Sequence, residues 1–83
     1  MYIISCAVYS KQLDQVFSSS AVRHTLKEAL EFVQADYEEE ARKRNLPMMT
    51  PKELRDLETN WCFKSPKCPE WENERNSWAI RLV

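Results

Sequence analysis

Residues 25–45 read TLKEALEFVQADYEEEARKRN, and this stretch decides the fold. It opens on a capping box, Thr25-Leu26-Lys27-Glu28. There the Thr25 hydroxyl accepts from the Glu28 amide while the Glu28 carboxylate reaches back to the Thr25 amide. Leu26, Leu30, Val33, Tyr37 and Ala41 then recur three or four residues apart, which puts them on one stripe of a helix, and Ala29 and Phe32 widen it. Near the end, Glu38–Arg42, Glu39–Lys43 and Glu40–Arg44 stand one turn apart with acid before base, each pair worth about 0.2–0.5 kcal/mol. The basic trio also suits the helix C-terminal dipole. Asn45 follows as the left-handed cap.

A helix with one broad apolar face needs a layer to bury it against. Before it, Tyr2–Tyr9 is rich in β-branched and aromatic residues, and Tyr2, Ile4, Cys6 and Val8 alternate onto one face of a strand. Ser10–Asp14 reads as a turn, Gln15–Ser18 as a short returning strand and Ser18-Ser19-Ser20 as a connector. After the helix, Leu46–Met49 is an apolar connector that packs under the next element. Thr50-Pro51-Lys52-Glu53 is a second capping box, with proline at the first helical position, and the short helix it opens stops at Asn60. Trp61–Lys64 and Ser77–Val83 alternate as strands, with Trp78, Ile80 and Leu82 on one face. The expected order is β-β-α-α-β-β: an α+β domain with a four-stranded, mainly antiparallel sheet and two helices packed on one face.

At 83 residues the chain is one domain, 1–83, and its hydrophobic fraction of 43% is too high for disorder. It contains no glycine, where average usage of about 7% predicts roughly six. Phosphate-cradling loops, dinucleotide fingerprints and the nucleophile elbow all need glycine, so their usual forms are excluded. Asn45, Asn60 and the proline-bearing loops are expected to take over glycine's caps and turns. A net charge of −1 disfavours a dedicated nucleic-acid binder. No run reaches membrane-spanning length, and Tyr2–Tyr9 lacks the basic flank and cleavage site of a signal peptide. With three cysteines, Cys6, Cys62 and Cys68, the expectation is a cytoplasmic chain with free thiols.

No constellation indicates catalysis. Cys62 and Cys68 are too far apart in sequence for a zinc-ligand pair, and His24 forms no metal spacing either. Cys6 and Cys62 therefore read as small core residues and Cys68 as a loop thiol. A local pairing of His24 with the Ser18–Ser20 run lacks an orienting third group. Glu38–Glu40 read as a solvated, ion-paired helix face. No catalytic residue, metal site or cofactor is expected.

The connection from Ser65 to Asn76 places Trp71 among Glu70, Glu72 and Glu74. An acidic loop with a tryptophan anchor suits contact with a basic protein surface; the alternative is that Trp71 folds back onto the sheet edge. The open sheet face offers Lys64 and Arg81 with neighbouring aromatics, a layout that can stack bases. The basic residues there are few, however, and Trp61, Phe63 and Trp78 are expected to be needed for the core. In general style, glycine-free and without a catalytic signature, the chain resembles small accessory proteins of bacteriophages and mobile elements, many of which inhibit a host protein. The expected function is a small non-enzymatic protein-binding module, an inhibitor or adaptor acting through Trp71, Glu70, Glu72 and Glu74. The alternative is a single-stranded nucleic-acid-binding domain using Lys64 and Arg81. A homo-oligomer formed through the sheet face is a third expectation.

Overall fold

A computed structural model of the chain describes residues 1–10, 13–43, 45–65 and 74–83, the last stretch with side chains from Asn76 onward. The elements are β1 (Tyr2–Ser10), β2 (Gln15–Arg23), α1 (Leu26–Lys43), α2 (Pro51–Asn60), β3 (Cys62–Lys64) and β4 (Glu74–Leu82). They form the expected α+β arrangement, with one antiparallel sheet in the order β2-β1-β4-β3. The two central strands are the longest apolar runs, as burial demands. Val33 and Tyr37 of α1 and Leu57 of α2 join Ile4, Phe63, Trp78 and Ile80 in one core on one sheet face.

The helix termini follow their sequence signals closely. Thr50 and Glu53 exchange both bonds of the capping box, at 3.0 and 3.2 Å, with Pro51 in the first turn. At Thr25 only half of the box forms. The Glu28 amide donates to the Thr25 hydroxyl at 3.1 Å, but the Glu28 carboxylate accepts from that hydroxyl rather than from the Thr25 amide. Of the acidic–basic pairs, Lys43 reaches both Glu39 and Glu40, at 3.7 and 3.6 Å. No ion pair joins Glu38 to Arg42, and Arg44 lies outside the described residues.

Among the described residues three take positive φ: Asp14, Asn45 and Trp61. Asn45 is the expected cap, and the Leu46 amide donates to Ala41 O at 2.8 Å while the Asn45 amide donates to Arg42 O at 3.3 Å. This is the Schellman pattern, which satisfies the last carbonyls of α1. Asn45→Ala should destabilise the domain by about 1 kcal/mol, since a Cβ without a compensating amide disfavours this region. Asn45→Gly should leave it equal or more stable, as urea midpoints would show.

Three expectations at the element ends are corrected. The left-handed cap of α2 is Trp61, with φ 56°, and not Asn60, so β3 starts one residue later at Cys62. Trp61 tolerates this conformation because its amide donates to Leu57 O, its carbonyl accepts from the Ile80 amide, and its ring packs edge-on against Tyr2 at 5.8 Å. Second, β2 continues through Ser18-Ser19-Ser20 to Arg23, because each of these residues pairs in unbroken register with β1. Third, β4 begins at Glu74 rather than Ser77. Its polar start is held by pairing with Tyr9 and Ser10 and by the Ser65 amide donating to Asn76 O at 2.9 Å.

Candidate functional site

Both helices cover one face of the sheet, and the opposite face follows from register alone. Cross-strand partners share a face, so Lys64, Ser77, Ala7 and Ser18 form one row across all four strands. Cys62, Ala79, Ser5 and Ser20 form the next, and Arg81, Ile3 and Val22 the row beyond. Tyr9 and Val16 close the other end. Only Ile3, Ala7 and Ser77 of these are partly shielded; the rest are exposed. The centre of this face is serine and alanine, hence smooth, with apolar side chains at both ends.

Lys64 and Arg81 lie on this face, four residues apart along β4 when Lys64 is placed by its partner Ser77, or about 13 Å. No acidic side chain among the described residues joins them there. Trp61, Phe63 and Trp78 serve the core, as expected, and do not stand beside them. Phe63 and Trp78 stack within the core at 5.8 Å, and Trp61 packs on Tyr2. Tyr9 is the single aromatic of the open face among the described residues.

The acidic loop expected to carry the partner contact falls at Glu70, Trp71 and Glu72, outside the described residues, and Glu74 opens β4 with its side chain also outside them. Beside that connection, Asn76 is buried; its amide donates to the Ser65 hydroxyl at 3.1 Å and its Oδ1 has no hydrogen-bond partner. A concavity of about 410 Å³ opens between α1 and α2, lined by Leu26, Leu30, Leu54, Lys27, Glu31 and Glu58 among others.

The thiols separate by environment. Cys62 is exposed on the open face, which corrects its reading as a core residue, while Cys6 is half-buried under α1. Burial pushes the Cys6 thiol above its ordinary value of 9.0; the charges of Asp36 and Glu40 add to the rise, and a hydrogen bond with Ser19 opposes it. Folding therefore favours the neutral thiol. That contribution is complete below pH 9.0 and declines as pH rises through the folded-state value. Cys6→Ala should flatten the alkaline limb of the stability–pH profile, read from urea midpoints above pH 9.0.

His24 is exposed just before α1, and no group of three His, Cys, Asp or Glu residues among those described could hold a metal ion. The contact that sequence reading missed is Asp36 with Trp78. The indole Nε1 donates to the Asp36 carboxylate at 2.8 Å across 42 positions of chain. Asp36 sits between the stripe residues Val33 and Tyr37, and its polarity hid its place at the core margin. No helix is long and apolar enough to cross a membrane among the described residues. No protein-family model, curated protein or solved structure matches this chain.

Proposed function

We propose that the chain is a non-enzymatic protein-binding module that meets an acidic partner surface with its open sheet face. The observation that carries this reading is that face itself: a smooth serine–alanine centre, apolar ends, and Lys64 and Arg81 with no acid beside them among the described residues. A smooth face lets another backbone approach closely, and paired cations on it favour a negatively charged partner. An inhibitor or adaptor role fits a domain that works by occupying a partner's surface.

Nucleic acid is the weaker reading. Base stacking needs exposed rings, and Phe63 and Trp78 are committed to the core. Two cations make a modest electrostatic footprint.

The test is affinity capture from the native cell with wild type and with the Lys64→Glu/Arg81→Glu variant. Wild type should retain a discrete partner that the variant loses by at least tenfold in affinity, at an unchanged melting midpoint. Equal capture by both would overturn the reading, and salt-dependent binding of labelled oligonucleotides by wild type would replace it with the nucleic-acid one. Trp71→Ala in the same assay reports whether the acidic loop shares the contact.

A further inference from the structure

The sheet has two edges of very different character. One is β3, three residues long; the other is β2, nine residues with Val16, Phe17 and Val22 at 64%, 50% and 48% exposure. Long exposed edges are normally blunted by proline, lysine, a bulge or an inward charge. Over residues 15–22 β2 has none of these: its register with β1 is unbroken and the run carries no charge and no proline, the strand's one charge being Arg23 at its end, over the Phe32 ring.

The direction of its backbone groups follows from hydrogen bonds elsewhere in the sheet. The Val83 amide donates to Met1 O, and the Ile80 amide donates to Trp61 O. Antiparallel strands alternate the side to which successive residues bond. Odd-numbered residues of β1 therefore bond β4, and even-numbered ones bond β2. Their partners on β2 are the odd residues Gln15, Phe17, Ser19, Ala21 and Arg23. Val16, Ser18, Ser20 and Val22 are left pointing their amides and carbonyls away from the sheet. The Val22 carbonyl agrees, since it accepts from its neighbour Arg23's guanidinium at 2.7 Å rather than from β1.

We infer that β2 is the contact edge of a two-fold dimer, in which the β2 strands of two copies of this chain pair antiparallel about Ser19. The sequence around Ser19 is close to palindromic in character: VFS precedes it and SAV follows. Pairing about Ser19 sets Val16 against Val22 of the second copy and Ser18 against Ser20. These are the four residues whose backbone groups point outward. Phe17 meets Ala21 of the second copy on the helix-covered face, beside the Arg23 guanidinium that lies 4.7 Å over the Phe32 ring. Gln15 meets Arg23, so no like charges oppose. A two-fold contact requires this self-complementarity, and a foreign strand would not. At Val22 the carbonyl's second lone pair can receive the incoming Val16 amide. A strand of this length spans about 30 Å, a small interface by the usual standard of about 1,600 Å², so the dimer is one that dissociates on dilution. Val16, Ser18, Ser20 and Val22 also border the open face, but the dimer is read from the mass of the chain alone and partner binding from capture through Lys64 and Arg81, so either can fail alone.

Sedimentation equilibrium of the full chain over two decades of concentration tests this. The mass should rise from monomer to twice that value and stop. Ser20→Pro removes an outward amide and no inward one, so it should stay monomeric with the wild-type circular dichroism. Val16→Lys and Val22→Glu should each weaken the dimer at least tenfold, and the double variant should dimerise more tightly than either, because the new charges face each other only in this register. Should Ser20→Pro disturb the sheet, Val16→Lys carries the same test from a side chain outside the core. A wild type that stays monomeric, open-ended polymers, undiminished dimerisation of the Ser20→Pro or Val16→Lys chain, or a double variant no better than the singles would each overturn the proposal.

Discussion

Trp78→Ala should remove about 3–5 kcal/mol of folding stability, the usual range for emptying a buried tryptophan site. For 83 residues the whole folding free energy is about 4–12 kcal/mol, so the variant should lose a large fraction of its stability and its urea midpoint should fall steeply. The reason is concentration of contacts. Trp78 is 1% exposed, stacks with Phe63, meets Tyr37 edge-on at 6.0 Å and donates its indole proton to Asp36. Asp36→Ala separates the polar part from the packing: it leaves a buried donor unpaired and should cost about 1.5–3 kcal/mol, nearer the lower end because Asp36 is half-buried. Asp36→Asn keeps an oxygen acceptor and should lie between wild type and Asp36→Ala. Urea denaturation followed by circular dichroism checks the order, and a Trp78→Ala midpoint close to wild type would show that the core is organised around something else.

Tyr37→Ala should have an effect of the same size, about 3–5 kcal/mol by analogy with other large aromatic deletions. Its ring packs edge-on against both Phe63, at 5.0 Å, and Trp78. Its hydroxyl donates to Pro47 O at 2.9 Å and so ties α1 to the connector that leads into α2. Tyr37→Phe isolates that tie and should cost about 1–2 kcal/mol, with the ring contacts kept. If the two variants were equally destabilised, the hydroxyl rather than the ring would be the dominant group.

Much of this architecture was legible in the chain. The stripe from Leu26 to Ala41, the box at Thr50 and the cap at Asn45 are local signals, read within one or two turns, and each stands in the structure where it was expected. The misread positions depend on distant partners. Nothing in Ser18-Ser19-Ser20 favours a strand; the run is extended because Ala7, Cys6 and Ser5 lie beside it. Glu74-Arg75-Asn76 reads as loop and is strand for the same reason. Trp61 is an unlikely residue for a left-handed cap by local energetics alone, and it is held there by Tyr2 and Ile80.

The site divides along the same line. Alternation alone puts Lys64 and Arg81 on the open face and the rings of Phe63 and Trp78 in the core, whereas the particular partners of those rings, Tyr37 for both and Tyr2 for Trp61, come from the tertiary structure. By itself the sequence determined the element order, the α+β class, the apolar stripes and two of the helix boundaries, because periodicity and capping act over a few residues. Only the tertiary structure decided how far β2 and β4 extend, which rings Trp61 and Trp78 meet, that Asp36 serves a buried indole, and that among the described residues no element covers one sheet face and one long edge. Those outcomes depend on pairings beyond the reach of a few neighbouring residues, from Ala7 with Ser18 to Ser10 with Glu74, and no local propensity encodes them.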